Sequence, residues 1–348
     1  MKRLVVCCDG TWNTADQTSP TNVSRFHDSV APTGGDVEQR IHYHRGVGTD
    51  WWDRLAGGLF GVGLSDVILD VYHWVVANFD AGDELYFLGF SRGAYTARST
   101  AGFIRNCGAL TRENIGRTRE AYDLYRRRDD ASAPDADESK AFRDRYSQET
   151  RIRFVGVWDT VGALGIPLSG NALVDQVNQP WQFHDTKLSS SVDHARQALA
   201  IDEHRRPFEP SIWAPPAAGD VPRRQVWFPG VHSDVGGGYP DRQLADVTLR
   251  WMVEGAADAG LAFLPGTAGA PGAGPVVNAG VGCDPIHDSM TLAYRLLIPI
   301  SRELGATDPR TEAAASTAVD RTENGACRYT PENLRAYLAA PGNQVDKV

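Results

Sequence analysis

The sequence predicts an α/β fold, a mainly parallel sheet with helices on both faces and helical or loop insertions. Three observations carry this. Short runs rich in Val, Ile, Phe and Trp recur along the chain and are mostly apolar throughout, as strands buried on both faces should be. Stretches with helical spacing separate them, and alternating strand and helix means a parallel sheet. The 348 residues are 42% hydrophobic and 23% charged, ordinary globular values on a chain long enough to bury a large core.

In chain order, Arg3–Cys8 is the first strand and Arg40–His44 the second. A helix over 64–79 is expected because Leu64, Ile68, Val71 and Val75 fall on one stripe. Glu84–Phe90 is a strand, with a helix at 93–106 marked by Ala94, Tyr95, Ala97 and Ala101. Helices near 112–127 and 138–147, a strand at Arg151–Trp158, a helix near 187–200, a strand at Arg224–Phe228 and a helix at 243–259 complete the pattern. Asp129–Glu138, Trp213–Pro222 and the Gly/Ala/Pro-rich Leu264–Gly280 read as loops, the last as a mobile excursion. The organisation expected is one domain over 1–348, with insertions at about 45–80, 110–150 and 165–220 and a C-terminal helical extension from about 285, near 288–304 and 331–339.

Composition excludes several functions. A net charge of −9 argues against a nucleic-acid partner, which needs a basic face. The arginines between Arg112 and Arg128 are interrupted by acids and read as a solvated helix face. Cys7, Cys8, Cys107, Cys283 and Cys327 are odd in number, irregular in spacing and lack CxxC, arguing against disulfides or zinc and for a reducing compartment. The N-terminal apolar run is too short for a signal peptide. The most apolar stretch, 55–79, contains Asp66, Asp70 and His73, so no stable membrane insertion is expected and the location is read as cytoplasmic.

The chemistry gathers at strand ends. Gly89-Phe90-Ser91-Arg92-Gly93 is GxSxG between a strand and a helix. A nucleophile there sits on a strained turn, and Gly89 and Gly93 remove side chains that would collide. The plain alternative is a small polar residue in a tight connection. A serine needs a base, and the base an orienting acid. Asp159 follows the strand in "RFVGVWDTVGALG", and His232 follows the next one in "QVWFPGVHSDVGGGY", where Gly236, Gly237 and Gly238 loosen the loop. The order Ser91, Asp159, His232 is that of α/β-hydrolases. Asp159 is otherwise a turn cap, and Asp202 is the rival acid; His194, His204 and His287 are rival bases. His42 and His44 alternate on a strand as cross-strand partners, and Asp234 near His232 lacks a third ligand for a metal.

The first strand ends in Asp9-Gly10-Thr11. Gly10 allows close backbone approach, so the N–H of Thr11 can join that of Arg92 as an oxyanion hole. A rival chemistry is the DxDGT of dehalogenase-class phosphatases, with Asp9 in play; the nucleophilic Asp of that motif would fall at Cys7. The glycine-rich 57–63 fits no phosphate-loop pattern, and beside it Trp51, Trp52, Leu55, Leu59 and Phe60 form an apolar patch, core or substrate cap.

"CCDGTWN", "RGVGT", "GFSRGAYTAR", "FVGVWDTVGALG", "AIDEHRRPF" and "WFPGVHSDVGGGY" together resemble the signatures of an uncharacterised α/β-hydrolase domain family that includes type VI secretion lipase effectors and stand-alone proteins. The resemblance spans about residues 2–255. It implies an α/β-hydrolase-like fold and a serine hydrolase with Ser91 as nucleophile, Asp159 as acid and His232 as base. In the family's known members it implies ester hydrolysis on lipids, and a small soluble acyl ester is an equal expectation here; the Ser91, Asp159, His232 order itself leads to the expectation of no cofactor and no metal. The rate is expected to rise with pH through an ionisation near the ordinary histidine value of about 6.5. The alternative is a non-catalytic ligand-binding module on the same scaffold.

Overall fold

The computed structural model describes residues 1–10, 19–46, 60–127, 129–162, 191–216, 223–271, 283–296, 298–308 and 310–348. The chain enters with β1 (Arg3–Cys8), α1 (Asn22–Ser29), β2 (Thr33–Gly34) and β3 (Val37–His44). Next come α2 (Phe60–Asn78), β4 (Glu84–Phe90), α3 (Arg92–Cys107), β5 (Ala109–Leu110), a 3₁₀ turn at Arg112–Arg117, α4 (Thr118–Arg126), α5 (Asp137–Tyr146) and β6 (Ser147–Gln148). After them stand β7 (Ile152–Trp158), β8 (Val192–Ala200), β9 (Arg223–Phe228), α6 (His232–Gly236) and α7 (Gln243–Asp258). The C-terminal part holds α8 (Leu292–Leu296), β10 (Glu312–Ala315), α9 (Ser316–Glu323), α10 (Glu332–Ala339) and β11 (Gln344–Asp346).

Among the described residues these strands form a nine-stranded sheet in the order β11-β10-β9-β8-β7-β4-β1-β3-β2. Every pairing in it is parallel except β2 with β3. β5 and β6 make a separate antiparallel ribbon. The period of two along β1 sorts its side chains between two cores. Leu4, Val6 and Cys8 face α2 and α3. Val5 and Cys7 join Val23 and Phe26 of α1 and the apolar face of α7. Leu64, Ile68, Val71 and Val75 of α2 are buried as a single stripe. The register brings the carboxyl ends of β1, β4, β7, β8 and β9 to one edge, where open α/β sheets bind ligands.

Three expectations need correction. Segment 187–200 is not a helix: Val192–Ala200 is β8, inserted between β7 and β9. The strand that ends before His232 is therefore not the next one after the strand of Asp159. The C-terminal extension is not purely helical: α10 stands as expected, but β10 and β11 extend the sheet past β9, and within 288–304 helix is confined to Leu292–Leu296. Cys283 and Cys327 form a disulfide, the fold bringing Cα atoms 44 residues apart to 4.7 Å, while Cys7, Cys8 and Cys107 are buried thiols. His42 and His44 do alternate along β3, opposite Val6 and Cys8 of β1, and the His42 ring also stacks on that of Trp74 at 4.9 Å. Among the described residues no helix is long and apolar enough to cross a membrane.

Candidate active site

Ser91 leaves β4 with φ 58° and ψ −121°. Only three non-glycine residues among those described have positive φ, and Ser91 and Asp159 are two of them. Each such residue costs of the order of 1–3 kcal/mol and persists only where its surroundings over-determine it. Here the Ser91 N–H donates to the Trp158 carbonyl at 3.0 Å, and the Ser91 carbonyl accepts from Tyr95 N–H at 3.3 Å. The flanking glycines are steric necessities. A Cβ at Gly89 would lie 2.5 Å from the Gly93 carbonyl oxygen, and one at Gly93 would lie 2.1 Å from that of Cys8. Arg92 opens α3, so its N–H belongs to the first turn, whose N–H groups have no intrahelical acceptor. Burial pulls the Arg92 guanidinium down to about 10.

Asp159 directly follows β7 and is completely buried. His232 begins α6, also buried, with its ring against Phe90 at 4.5 Å and edge-on to Phe208 at 4.9 Å. The two meet: His232 Nδ1 lies 2.6 Å from Asp159 Oδ2. Burial alone would raise the Asp159 carboxyl, but Arg302 and His232 outweigh it and hold the group well below the usual carboxylate range. An ionised Asp159 only accepts, so Nδ1–H donates and Nε2 is left as the acceptor. Burial is the largest influence on His232 and lowers it from the ordinary histidine value. Gly236 does not loosen this loop as expected. It lets α6 close on Phe90, whose ring a Cβ there would meet at 2.0 Å.

Residues 2–255 match the family described as the T6SS phospholipase effector Tle1-like catalytic domain. The chain belongs to that family. It is 27% identical over 236 residues to an uncharacterised protein of Saccharomyces cerevisiae, covering 62% of this chain and 33% of that one. It is similar to the crystal structure of an uncharacterised protein from Pseudomonas aeruginosa, with 17% identity, a TM-score of 0.46 and coverage of 77% of this chain and 47% of the other. The Tle1 effector bound to the VgrG spike of the type 6 secretion system aligns at 18% identity and TM-score 0.38, over 69% of this chain and 51% of that one. The chain thus spans a third to a half of the length of these relatives.

The other candidates of this Tle1-like domain have partners of their own or stand apart. Asp202 is occupied elsewhere: Oδ2 accepts from Gly230 N–H at 2.7 Å and from Tyr329 O–H at 3.0 Å, and burial pushes its carboxyl up to about 6. His194 is exposed on β8, and His204 Nδ1 lies against the Ile300 carbonyl at 2.9 Å. His287 has its own acid, with Nδ1 2.6 Å from Asp234 Oδ1 and the ring stacked on Tyr239 at 3.8 Å. Asp9 Oδ1 accepts from Gly10 N–H and Oδ2 from Thr21 and Tyr43 hydroxyls, so it braces its turn. Thr11 lies outside the described residues, as do Trp51, Trp52, Leu55 and Leu59.

Two groups escape a reading of the sequence. Glu203 accepts from the His232 N–H at 3.3 Å and from Ser289, and is paired with Arg205, which with other cations holds it down to about 2 against burial. It sits beside Asp202 in "AIDEHRRPF", where the adjacent aspartate is the more obvious acid. Arg302 binds Asp159 and carries no local signal, since it follows no strand and lies in no motif.

Proposed function

We propose that the chain is a serine hydrolase that cleaves carboxylic esters, of lipids or small acyl groups, through an acyl-enzyme intermediate. Ser91 Oγ attacks the ester carbonyl while His232 Nε2 takes its proton. The tetrahedral oxyanion is met by backbone N–H groups, that of Arg92 and that of Thr11. Imidazolium then protonates the departing alcohol, leaving Ser91 acylated. Water repeats the sequence and releases the acid, returning the proton to solvent. Asp159 orients the imidazole and stabilises its charged form.

The observation that carries the reading is the 2.6 Å contact between His232 and Asp159, taken with the strained, positive-φ backbone that Ser91 adopts between β4 and α3. A phosphatase built on Asp9 has less support, because both of that carboxylate's oxygens already hold the turn.

The test is labelling with a fluorophosphonate, together with chromogenic esters and phospholipid vesicles as substrates. Wild type is expected to be labelled at Ser91 and to turn over esters in the presence of EDTA. Ser91→Ala is expected to lose labelling and about a thousandfold or more of its turnover. A wild type that binds esters without turning them over and takes no label would point to the binding module instead.

A further inference from the structure

Arg302 lies outside residues 2–255, the part of the chain that matches the family. Its side chain is nonetheless among the most deeply buried cations of the described structure, 1% exposed, against an Asp159 that is fully buried. The guanidinium grips both carboxylate oxygens: Nη1 donates to Oδ1 at 2.7 Å and Nη2 to Oδ2 at 3.0 Å. The same two nitrogens donate to the carbonyls of Ala200, at the end of β8, and of Phe208, whose ring lies against His232. Ala200 N–H also donates to Asp159 Oδ1, at 3.1 Å. The Arg302 backbone is tied in turn, its carbonyl accepting from Asn333 Nδ2 at 3.0 Å. A planar fork held at this many points sets the plane of the carboxylate it grips, which a flexible ammonium cannot do.

We propose that Arg302 is a positioning residue of the hydrolase: it fixes the carboxylate of Asp159 toward His232 and, as its counter-ion, keeps the Asp159–His232 pair from taking up a proton. This rests on the reading of Ser91, His232 and Asp159 as a catalytic triad.

The charge balance around His232 explains the second role. Asp159 faces it from the end of β7, Glu203 and Arg205 from the segment after β8, and Arg302 from the C-terminal segment. Asp234, on the same helix as His232, is taken up by His287. Glu203 and Arg205 offset each other, Nη2 to Oε2 at 2.7 Å, and Arg302 offsets Asp159. The imidazole therefore sits in a buried site with no net charge, and burial favours its neutral form. Removing Arg302 leaves one uncompensated negative charge beside it. The pair then binds a proton at higher pH, whichever of the two residues carries it.

The experiment is the pH dependence of the fluorophosphonate labelling rate, normalised at each pH to the folded fraction read by circular dichroism. Loss of a buried opposite charge at this range moves a neighbour's ionisation by about one to three pH units. Arg302→Met is therefore expected to move the acid limb upward by at least one unit. Arg302→Lys keeps the charge and loses the fork, so its limb is expected to stay near wild type while labelling slows tenfold or more. An Arg302→Met limb that coincides with wild type overturns the proposal, as does an Arg302→Lys variant that labels at the wild-type rate. Should Arg302→Met fail to fold, Arg302→Lys decides alone by that rate and limb. A wild type that takes no label would instead overturn the triad reading itself.

Discussion

At His232 two influences oppose each other. Burial disfavours the imidazolium, the contact with Asp159 favours it, and burial is the larger, so the group is lowered from its ordinary value. A base with a lowered pKa stays neutral to lower pH. The acid limb of ester turnover is therefore expected below about 6.5, rather than at that value as the unperturbed residue suggests. A pH–rate profile of wild type checks this, and a limb above 7 would contradict it. The acid is tested beside it. Asp159→Asn removes the acceptor that sets the tautomer, an exchange expected to cost on the order of 10⁴ in turnover. Asp202→Asn is expected to cost little turnover, since Asp202 bonds Gly230 and Tyr329 rather than His232. The reverse pattern would exchange their roles. Ser91, Asp159 and His232 are legible in the sequence because each lies at or just past the end of an apolar strand, a local and directional signal. Arg302 is not, because a long side chain reaches the site from a segment whose own sequence has no periodicity, and only the tertiary fold reveals the contact.

The elements show where sequence reasoning holds and where it gives way. β1, β4, β7 and β9 are apolar runs, and their positions can be read nearly to the residue. β8 reads VDHARQALA, full of good helix formers, yet it is a strand because β7 and β9 pair with it on both sides and outweigh propensity. Its polar Gln197 is buried and bonded to Thr160, Arg98 and Gln225. The junction of β1, β4 and α3 has no such latitude. At Gly93 an added Cβ meets backbone oxygens of both Cys8 and Asp9, which cannot turn aside as a side chain would. Gly93→Ala is expected to destabilise by about 1–3 kcal/mol or more and to abolish labelling, whereas Gly116→Ala, with open space around its Cβ position, should be near neutral. Thermal melts of both variants decide this; equal melting temperatures would refute the steric account. The Cys283–Cys327 disulfide closes a loop that contains His287, Ser289 and Arg302. Chain entropy for a loop of that length gives at most roughly 4 kcal/mol. Cys283→Ser with Cys327→Ser, or added reductant on wild type, is expected to lower Tm by several degrees, and an unchanged Tm would count against the linkage.

The whole molecule divides unevenly between the family match and the C-terminal residues beyond it. The match ends at residue 255, within α7, but the sheet continues. β10 pairs in parallel with β9, and β11 with β10. Leu304, Ala314, Ala318, Tyr329, Leu334 and Tyr337 are buried in the same core as Phe90, Trp158 and Phe228. Glu312 of β10 is fully buried and accepts from Trp227 Nε1 at 3.0 Å, so the edge of β9 is covered by polar as well as apolar contacts. A chain ending at Asp258 would leave β9, with its Val-Trp-Phe end, as an unpaired edge, the form most prone to pairing with other chains. It would also lose the cation that compensates buried Asp159, and a buried charge stripped of its partner costs about 3–5 kcal/mol. Against a typical stability of about 5–15 kcal/mol, that cost alone is as large as the whole margin of a domain at the low end of the range, before the exposed edge and the uncovered core are added. The fragment 1–258 is therefore expected to be insoluble or to melt without a cooperative transition, and to take no fluorophosphonate label, although it contains Ser91, Asp159 and His232. A soluble fragment that melts cooperatively and labels at the wild-type rate would show that the C-terminal strands are an ornament on a self-sufficient hydrolase rather than part of its core.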